Sequence, residues 1–354
     1  MVRILLMIVL FLSGLSFAKA QDLNSKKIKT IKFSSVQIDT LFQDEISIRA
    51  IVKDHDKIWY AGNKNRFGFY DLKLNEKFEN KIAEDTLKIE FRSIAATTNY
   101  IYVLSVANPG LLYQIAKNGK KFKLVYQEKN EKVFYDSMQF WNDKEGIAIG
   151  DPITDCLSVI ITKDGGETWN KLPDSLLPKV FEGEAHFAAS NTNVIVKGYD
   201  TWIVSGGKKA RVFYSPNKGS SWSAYETPIV QGKQMTGIFT ADFYDAKKGF
   251  VAGGDYELPN QNYENKAITA DGGKTWKLVA ENKAFGYASC VQYVPNSKGK
   301  GIVSVGASGL YYSPDGGENW EQFLKDSSLY TIRFIDASTA IAAGRDKMIR
   351  IRFK

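Results

Sequence analysis

Cysteine and histidine are almost missing from this chain: two of each in 354 residues. A disulfide framework is therefore excluded as the main source of stability. Cys156 and Cys290 stand far apart, which leaves open one bridge between them or two buried thiols. No His/Cys spacing suits zinc, so no metal is expected, the alternative being a calcium ion held by carboxylates and carbonyls at the Asp151 or Asp255 turns. Long apolar runs are missing after residue 12, so no later segment is expected to span a membrane. Charge of one sign is not concentrated either. The 47 basic residues are interspersed with 39 acidic ones for a net charge of +8, with small basic clusters only at 117–123 and 298–300. Nucleic acid is not an expected partner. There is no strand–GxGxxG–helix unit and no flavin motif, so no cofactor is expected. No long amphipathic helix stands out.

What is present suits a globular protein with a large core: 44% hydrophobic, 13% aromatic and 24% charged residues. Residues 1–20 have the form of a signal peptide, with Arg3 before an apolar stretch at 4–12 and Ala18-Lys19-Ala20 as the cleavage site. The mature chain is expected to begin at Gln21, to be periplasmic or secreted, and to form one domain over 21–354. A monomer is expected.

One stretch recurs four times. Thr162 to Trp169 reads Thr-Lys-Asp-Gly-Gly-Glu-Thr-Trp, and Thr269 to Trp276 and Ser313 to Trp320 repeat its Asp-Gly-Gly-x-x-Trp core. Ser215 to Trp222 is a looser copy with Asn217 in place of the Asp. The tryptophans Trp169, Trp222, Trp276 and Trp320 stand 53, 54 and 44 residues apart. A motif returning at that interval marks a repeat architecture. Its chemistry is that of a hairpin. Thr/Ser and Asp oxygens cap backbone N–H groups, glycines permit positive φ, and the Trp folds back over the turn.

Between these hairpins lies a second phrase, an apolar strand ending in small residues, as at 58–62, 101–105, 146–150, 202–206, 249–253, 301–306 and 340–344. A short strand precedes each and a strand carrying an aromatic residue follows most of them. Seven units of four strands can be laid end to end at about 45–84, 85–129, 130–175, 176–229, 230–282, 283–327 and 328–354. The last is one strand short, and the alternating segment 28–38 supplies it. The expected fold is an all-β, seven-bladed β-propeller closed by its N-terminal strand.

The Ser/Thr-x-Asp-x-Gly-x-x-Trp pattern resembles the Asp-box, or BNR repeat, of sialidase-type propellers. Gly150-Asp151-Pro152, 186–190, 205–211, Ala241-Asp242-Phe243 and 253–256 are together similar to exported Asp-box propellers of the photosystem II stability/assembly factor family. That resemblance implies a propeller that binds protein segments, and it makes Asp164, Asn217, Asp271, Asp315 and the four tryptophans structural. Members of this group are often labelled oxidoreductase or glycosyl hydrolase, and nothing in these residues supports hydride chemistry. The sialidase Phe/Tyr-Arg-Ile-Pro motif is missing from 28–38.

Propellers bind at the channel mouth, so polar residues at inner-strand starts and the adjoining turns are the candidates. Arg49 and Arg92 hold the same place in the first two units, thirteen residues before Gly62 and Ser105, and their forks suit carboxylates or phosphates. Asp151 is stiffened by Pro152. Glu184, His186 and Arg211 come from the fourth unit, and His186 reads either as a satisfied channel histidine or as a general acid–base. Asp242, Asp255 and Tyr256 come from the fifth, where a long insertion through Asn265 follows. Asp136 precedes the first strand of the third unit. The expected function is an exported, non-catalytic binding or assembly scaffold for a protein segment or glycan at this mouth. The alternative is a glycoside hydrolase pairing two of Asp151, Glu184, Asp242 and Asp255.

Overall fold

Runs of Ile, Val, Tyr and Phe bounded by Gly, Asp and Asn become short antiparallel strands, as β-branched and aromatic side chains on a pleated surface favour. The computed structural model describes residues 32–82 and 87–354, and the signal segment expected at 1–20 lies outside the described residues. The one helical element among the described residues is a 3-10 turn at Asp174–Leu176. No described helix is long and apolar enough to cross a membrane.

The strands form a β-propeller of six hydrogen-bonded sheets. Four sheets have four strands each, and two have six. The expected count of seven separate blades is thereby corrected to six. The cause is one 19-residue strand, Val36–Asp54. Its first part pairs with Thr339–Phe353 from Val36↔Phe353 to Ser47↔Arg345. Its second part pairs with Lys57–Gly62 from Ile48↔Gly62 onward. The units counted first and last in the sequence are therefore one continuous sheet. Of the expected closing segment 28–38, residues 28–31 lie outside the described residues, and the described strand begins at Val36, paired with Phe353.

The second six-stranded sheet arises where backbones meet without side chains between them. Glu184–Ala185 pairs with Gly206–Gly207, and Gly206 pairs with Gly237 of Thr236–Phe243. A Cβ on Gly253 would land on the Gly237 carbonyl oxygen, and one on Gly237 would strike the Gly206 Cα. Glycine is required there for closeness of approach.

Neighbouring sheets share apolar cores. Trp202 is fully buried and stacks on Phe243 of the next sheet at 3.9 Å between ring centroids. Burial of a side chain this size contributes about 2–3 kcal/mol relative to exposure. The recurring hairpins buttress the same seams. Trp202 donates its indole N–H to Gly272 O at 2.8 Å, and the Tyr102 hydroxyl donates to Gly165 O. Within each hairpin the hydrogen bonds repeat. Thr162 Oγ1 accepts from Gly166 N at 2.9 Å and Asp164 Oδ1 from Thr168 N at 3.0 Å. The same pairs recur at Thr269/Asp271, Ser313/Asp315 and, with an amide for the acid, Ser215/Asn217. Trp222, Trp276 and Trp320 each donate to the carbonyl three residues back. Trp169 does not, and packs edge-on against Tyr102 and Phe140 instead.

Candidate functional site

Six of the strands facing the axis carry a one-residue irregularity at the same place. The register shifts between Ile48 and Ala50, Phe91 and Ser93, Tyr135 and Ser137, Ile238 and Thr240, Ala288 and Cys290, and Leu329 and Thr331. A bulge leaves its extra residue outside the ladder and re-aims the side chain. The bulged residues are Arg49, Arg92, Asp136, Phe239, Ser289 and Tyr330. All but Asp136 line one of two adjoining cavities at a single mouth of the propeller.

The channel below this mouth is closed by the chain itself. The segment 189–194 hydrogen-bonds to every other axial strand. Ala189 O accepts from Arg49 Nη1 at 3.3 Å, and Ser190 O from Arg333 Nη2 at 3.0 Å. Asn191 donates to Ile94 O at 2.8 Å and accepts from Met138 N at 2.9 Å. Ser190 Oγ donates to Ser289 O, and Thr192 Oγ1 bonds Thr240 Oγ1. The mouth is a bowl with a floor, open on one side.

The bowl has two lobes, with volumes of about 410 and 320 Å³, that share Arg49, Tyr256 and Tyr287. The larger holds Arg92, Asp151 and His186, with Phe187, Met235 and Phe239 as apolar wall. Phe187 stacks on Phe239 at 3.8 Å, and Tyr287 meets Phe239 edge-on at 4.8 Å. The smaller is richer in hydroxyls, from Ser289, Ser327 and Tyr330, and holds Arg345. The Arg49 guanidinium lies 4.2 Å from the centre of the Tyr330 ring, and its buried Nε has no hydrogen-bond partner among the described residues. Stacking of this kind fixes a guanidinium plane while leaving its edge for a ligand. Arg92 is forked onto Glu90 at 2.9 and 3.2 Å, so its charge is partly answered.

Asp151 accepts the His186 backbone N–H at 2.7 Å. Burial pushes its carboxyl up to about 6, against the pull of that hydrogen bond. His186 is itself buried, and burial lowers its imidazole below the usual value, against the Val204 carbonyl and Glu184. Its Nδ1 lies 2.8 Å from Val204 O. A carbonyl only accepts, so Nδ1 carries the proton and Nε2 keeps its lone pair.

Arg49, Arg92, Asp151, His186 and Tyr256 all line these cavities, and four other candidates, Glu184, Arg211, Asp242 and Asp255, do not join them in the lining. Glu184 and Arg211 form a buried bidentate pair, at 3.0 Å from Nε and 2.6 Å from Nη2, with Ser205 Oγ and Phe181 N also on the carboxylate. They brace the segment that carries His186. Asp255 is buried, accepts from Glu257 N and Leu258 N, and meets Lys233 at 3.1 Å. Burial would raise its carboxyl, but Lys233 and the two N–H groups hold it below its ordinary value. It shapes the turn that presents Tyr256. Asp242 lies at the far end of its strand, beside Lys197 and Tyr293 in a separate cavity. Its Oδ2 accepts from Tyr293 N at 2.7 Å, fastening one sheet to the next. Gln139 and Gln292 do the same for Val196 N and Phe334 N. The recurring hairpins, by strand direction, lie on the face opposite the bowl.

Phe239, Tyr287, Ser289, Tyr330 and Arg345 were not among the sequence candidates. The thirteen-residue spacing shared by Arg49 and Arg92 is the signal the sequence holds for them, because it marks the bulge position. Cys156 and Cys290 are free and buried.

No family model matches the sequence, and no curated protein matches it. Among solved structures the chain is similar to a structure described as YCF48 bound to D1 peptide, with 14% identity and a TM-score of 0.65 over 92% of this chain and 98% of that one. It is similar to YCF48 from Cyanidioschyzon merolae, with 13% identity and a TM-score of 0.65 over 90% and 99%. A GH74 enzyme of Niastella koreensis aligns at 12% identity and a TM-score of 0.62, over 88% of this chain and 53% of the enzyme. Likeness at such identity establishes one thing, that the chain has the β-propeller fold.

Proposed function

We propose that this protein is an exported, non-catalytic scaffold that binds an extended segment of another protein in the bowl around Arg49. The observation that carries the reading is Arg49 itself. It is shared by both lobes, stacked on Tyr330, and walled by aromatic rings. Such a cleft suits a chain that lays an acidic group on the guanidinium and apolar side chains against Phe187, Phe239 and Tyr287. The closed floor gives the ligand one side of entry. The peptide held by one structure of the same fold is in keeping with this use of a propeller. Among the described residues Asp151 is the one carboxylate lining the two lobes, whereas a glycosidase works with a facing pair.

The test is a peptide array and a glycan array probed with the wild-type protein and with Arg49→Ala. Peptides that bind wild type at micromolar Kd and lose tenfold or more in Arg49→Ala support the scaffold. Binding confined to glycans, or turnover of aryl glycosides that vanishes in Asp151→Asn, overturns it.

A further inference from the structure

Asp136 is the one bulged residue that does not line the bowl. It is completely buried, and neither carboxyl oxygen has a hydrogen-bond partner among the described residues. An ionised carboxylate in that state would forfeit its hydration with nothing in return, so the group is held as a neutral acid. Its charged neighbours are Asp151, which disfavours ionisation, and Arg92, which favours it. Asp151 in turn lines the cavity and has the His186 N–H as its hydrogen-bond donor. One carboxyl faces the ligand space, and a second stands behind it beside the same arginine.

We propose that the bowl takes up an anionic ligand together with one proton, held by the Asp136–Asp151 carboxyl pair in its wall. This rests on the reading of the bowl as a binding site and names the ligand chemistry, a carboxylate, and its dependence on pH. The groups facing the pair are few. Arg92 comes from Phe91–Ala96 and is forked onto Glu90. His186 comes from the axial segment, with its proton directed at Val204 O, and Glu184 behind it is consumed by Arg211. Arg49 lies across the cavity, and burial keeps the Tyr287 phenol neutral.

A carboxylate seated on Arg49 and Arg92 changes this balance in two ways. It takes up the positive field of Arg92 that favours ionisation of Asp136, and it adds a negative charge in the cavity that Asp151 lines. Both raise the affinity of the pair for a proton. By linkage, a proton bound more tightly in the complex makes the ligand bind more tightly at lower pH. Burial pushes the Asp151 carboxyl up to about 6 in the free protein, against the pull of the His186 N–H. The affinity is then full below about pH 6 and falls as pH rises beyond it.

The probes are benzoate, which stays ionised throughout the range, and the best peptide from the array, titrated from pH 5.5 to 8 at fixed ionic strength. The expected result is a Kd that rises up to about tenfold per pH unit above pH 6.5. Calorimetry at pH 7 in two buffers of different ionisation enthalpy is expected to read uptake of on the order of one proton per ligand. In Asp151→Asn the slope is lost, and Asp136→Asn gives a second reading if it folds. A Kd independent of pH, with no proton uptake, overturns the proposal while leaving the scaffold reading intact, provided Arg49→Ala still weakens binding. Absence of binding by both probes at every pH overturns the scaffold reading and this proposal with it.

Discussion

Asn191→Ala tests how much of the fold depends on the segment that closes the channel. Asn191 sits at φ 59°, where an amide side chain is tolerated and alanine is not favoured. Its Nδ2 donates to Ile94 O at 2.8 Å, and its Oδ1 accepts from Met138 N at 2.9 Å and Ser137 Oγ at 3.3 Å. Alanine leaves a buried N–H and a buried carbonyl unpaired, at about 1–3 kcal/mol each. The left-handed backbone adds about 1 kcal/mol. A total near 4 kcal/mol is to be compared with an unfolding entropy of about 2.1 cal/mol/K per residue, or roughly 0.7 kcal/mol/K for about 320 residues. The melting temperature is therefore expected to fall by about 6 °C in differential scanning calorimetry. Asn191→Gly relieves the backbone contribution and is expected to recover about 1 kcal/mol of the loss. If the alanine variant melts within 1 °C of wild type, the side-chain bridge is not holding the segment. Complete recovery by glycine would show that backbone conformation alone mattered.

Two further outcomes follow from neighbouring features. Gly253→Ala forces a methyl group onto the Gly237 carbonyl and to 2.8 Å from Phe239 N, and is expected to abolish folding or to cost more than about 3 kcal/mol in urea denaturation. Soluble protein with wild-type stability would show that the two strands can part. The Asp271 carboxyl would be raised by burial, but hydrogen bonds from Thr275, Thr269 and Lys274 outweigh this and hold it down at about 2. A depressed carboxyl stabilises the fold above its unfolded value and stops doing so as pH falls toward its folded one. Melting curves of wild type are thus expected to drop between pH 4 and 2 more steeply than those of Asp271→Asn, and parallel curves would refute this.

The fold was legible because four hairpins repeat their polar atoms at near-constant spacing and the strands between them end in small residues. The sheet count was not, because nothing in 36–54 marks where one sheet hands over to the next; the strand simply continues. Arg49 and Arg92 were legible because charged residues within axial strands stand out against apolar neighbours. Phe239, Tyr287 and Tyr330 were not, since an aromatic residue in a strand reads the same whether it fills a core or walls a cavity. Asp242 misled for a related reason. A carboxylate in an axial strand is visible in the sequence, but which end of the channel it faces depends on strand direction and register. Glu184 and Arg211 looked like two ligands, 27 residues apart, and are each other's partner.

The long strand that joins both ends of the chain has a consequence for how the protein comes into being. Val36 meets Phe353, so the ring is sealed by a pairing between nearly the first and nearly the last described residues. Bringing ends that far apart together costs on the order of 5 kcal/mol of chain entropy before any contact repays it. Contacts of such high sequence separation form slowly. During synthesis the intervening sheets have their partners at hand, whereas Val36–Ser47 stays an open edge until Thr339–Phe353 has left the ribosome. The same edge is the natural point of attack for proteases and for aggregation in any truncated product.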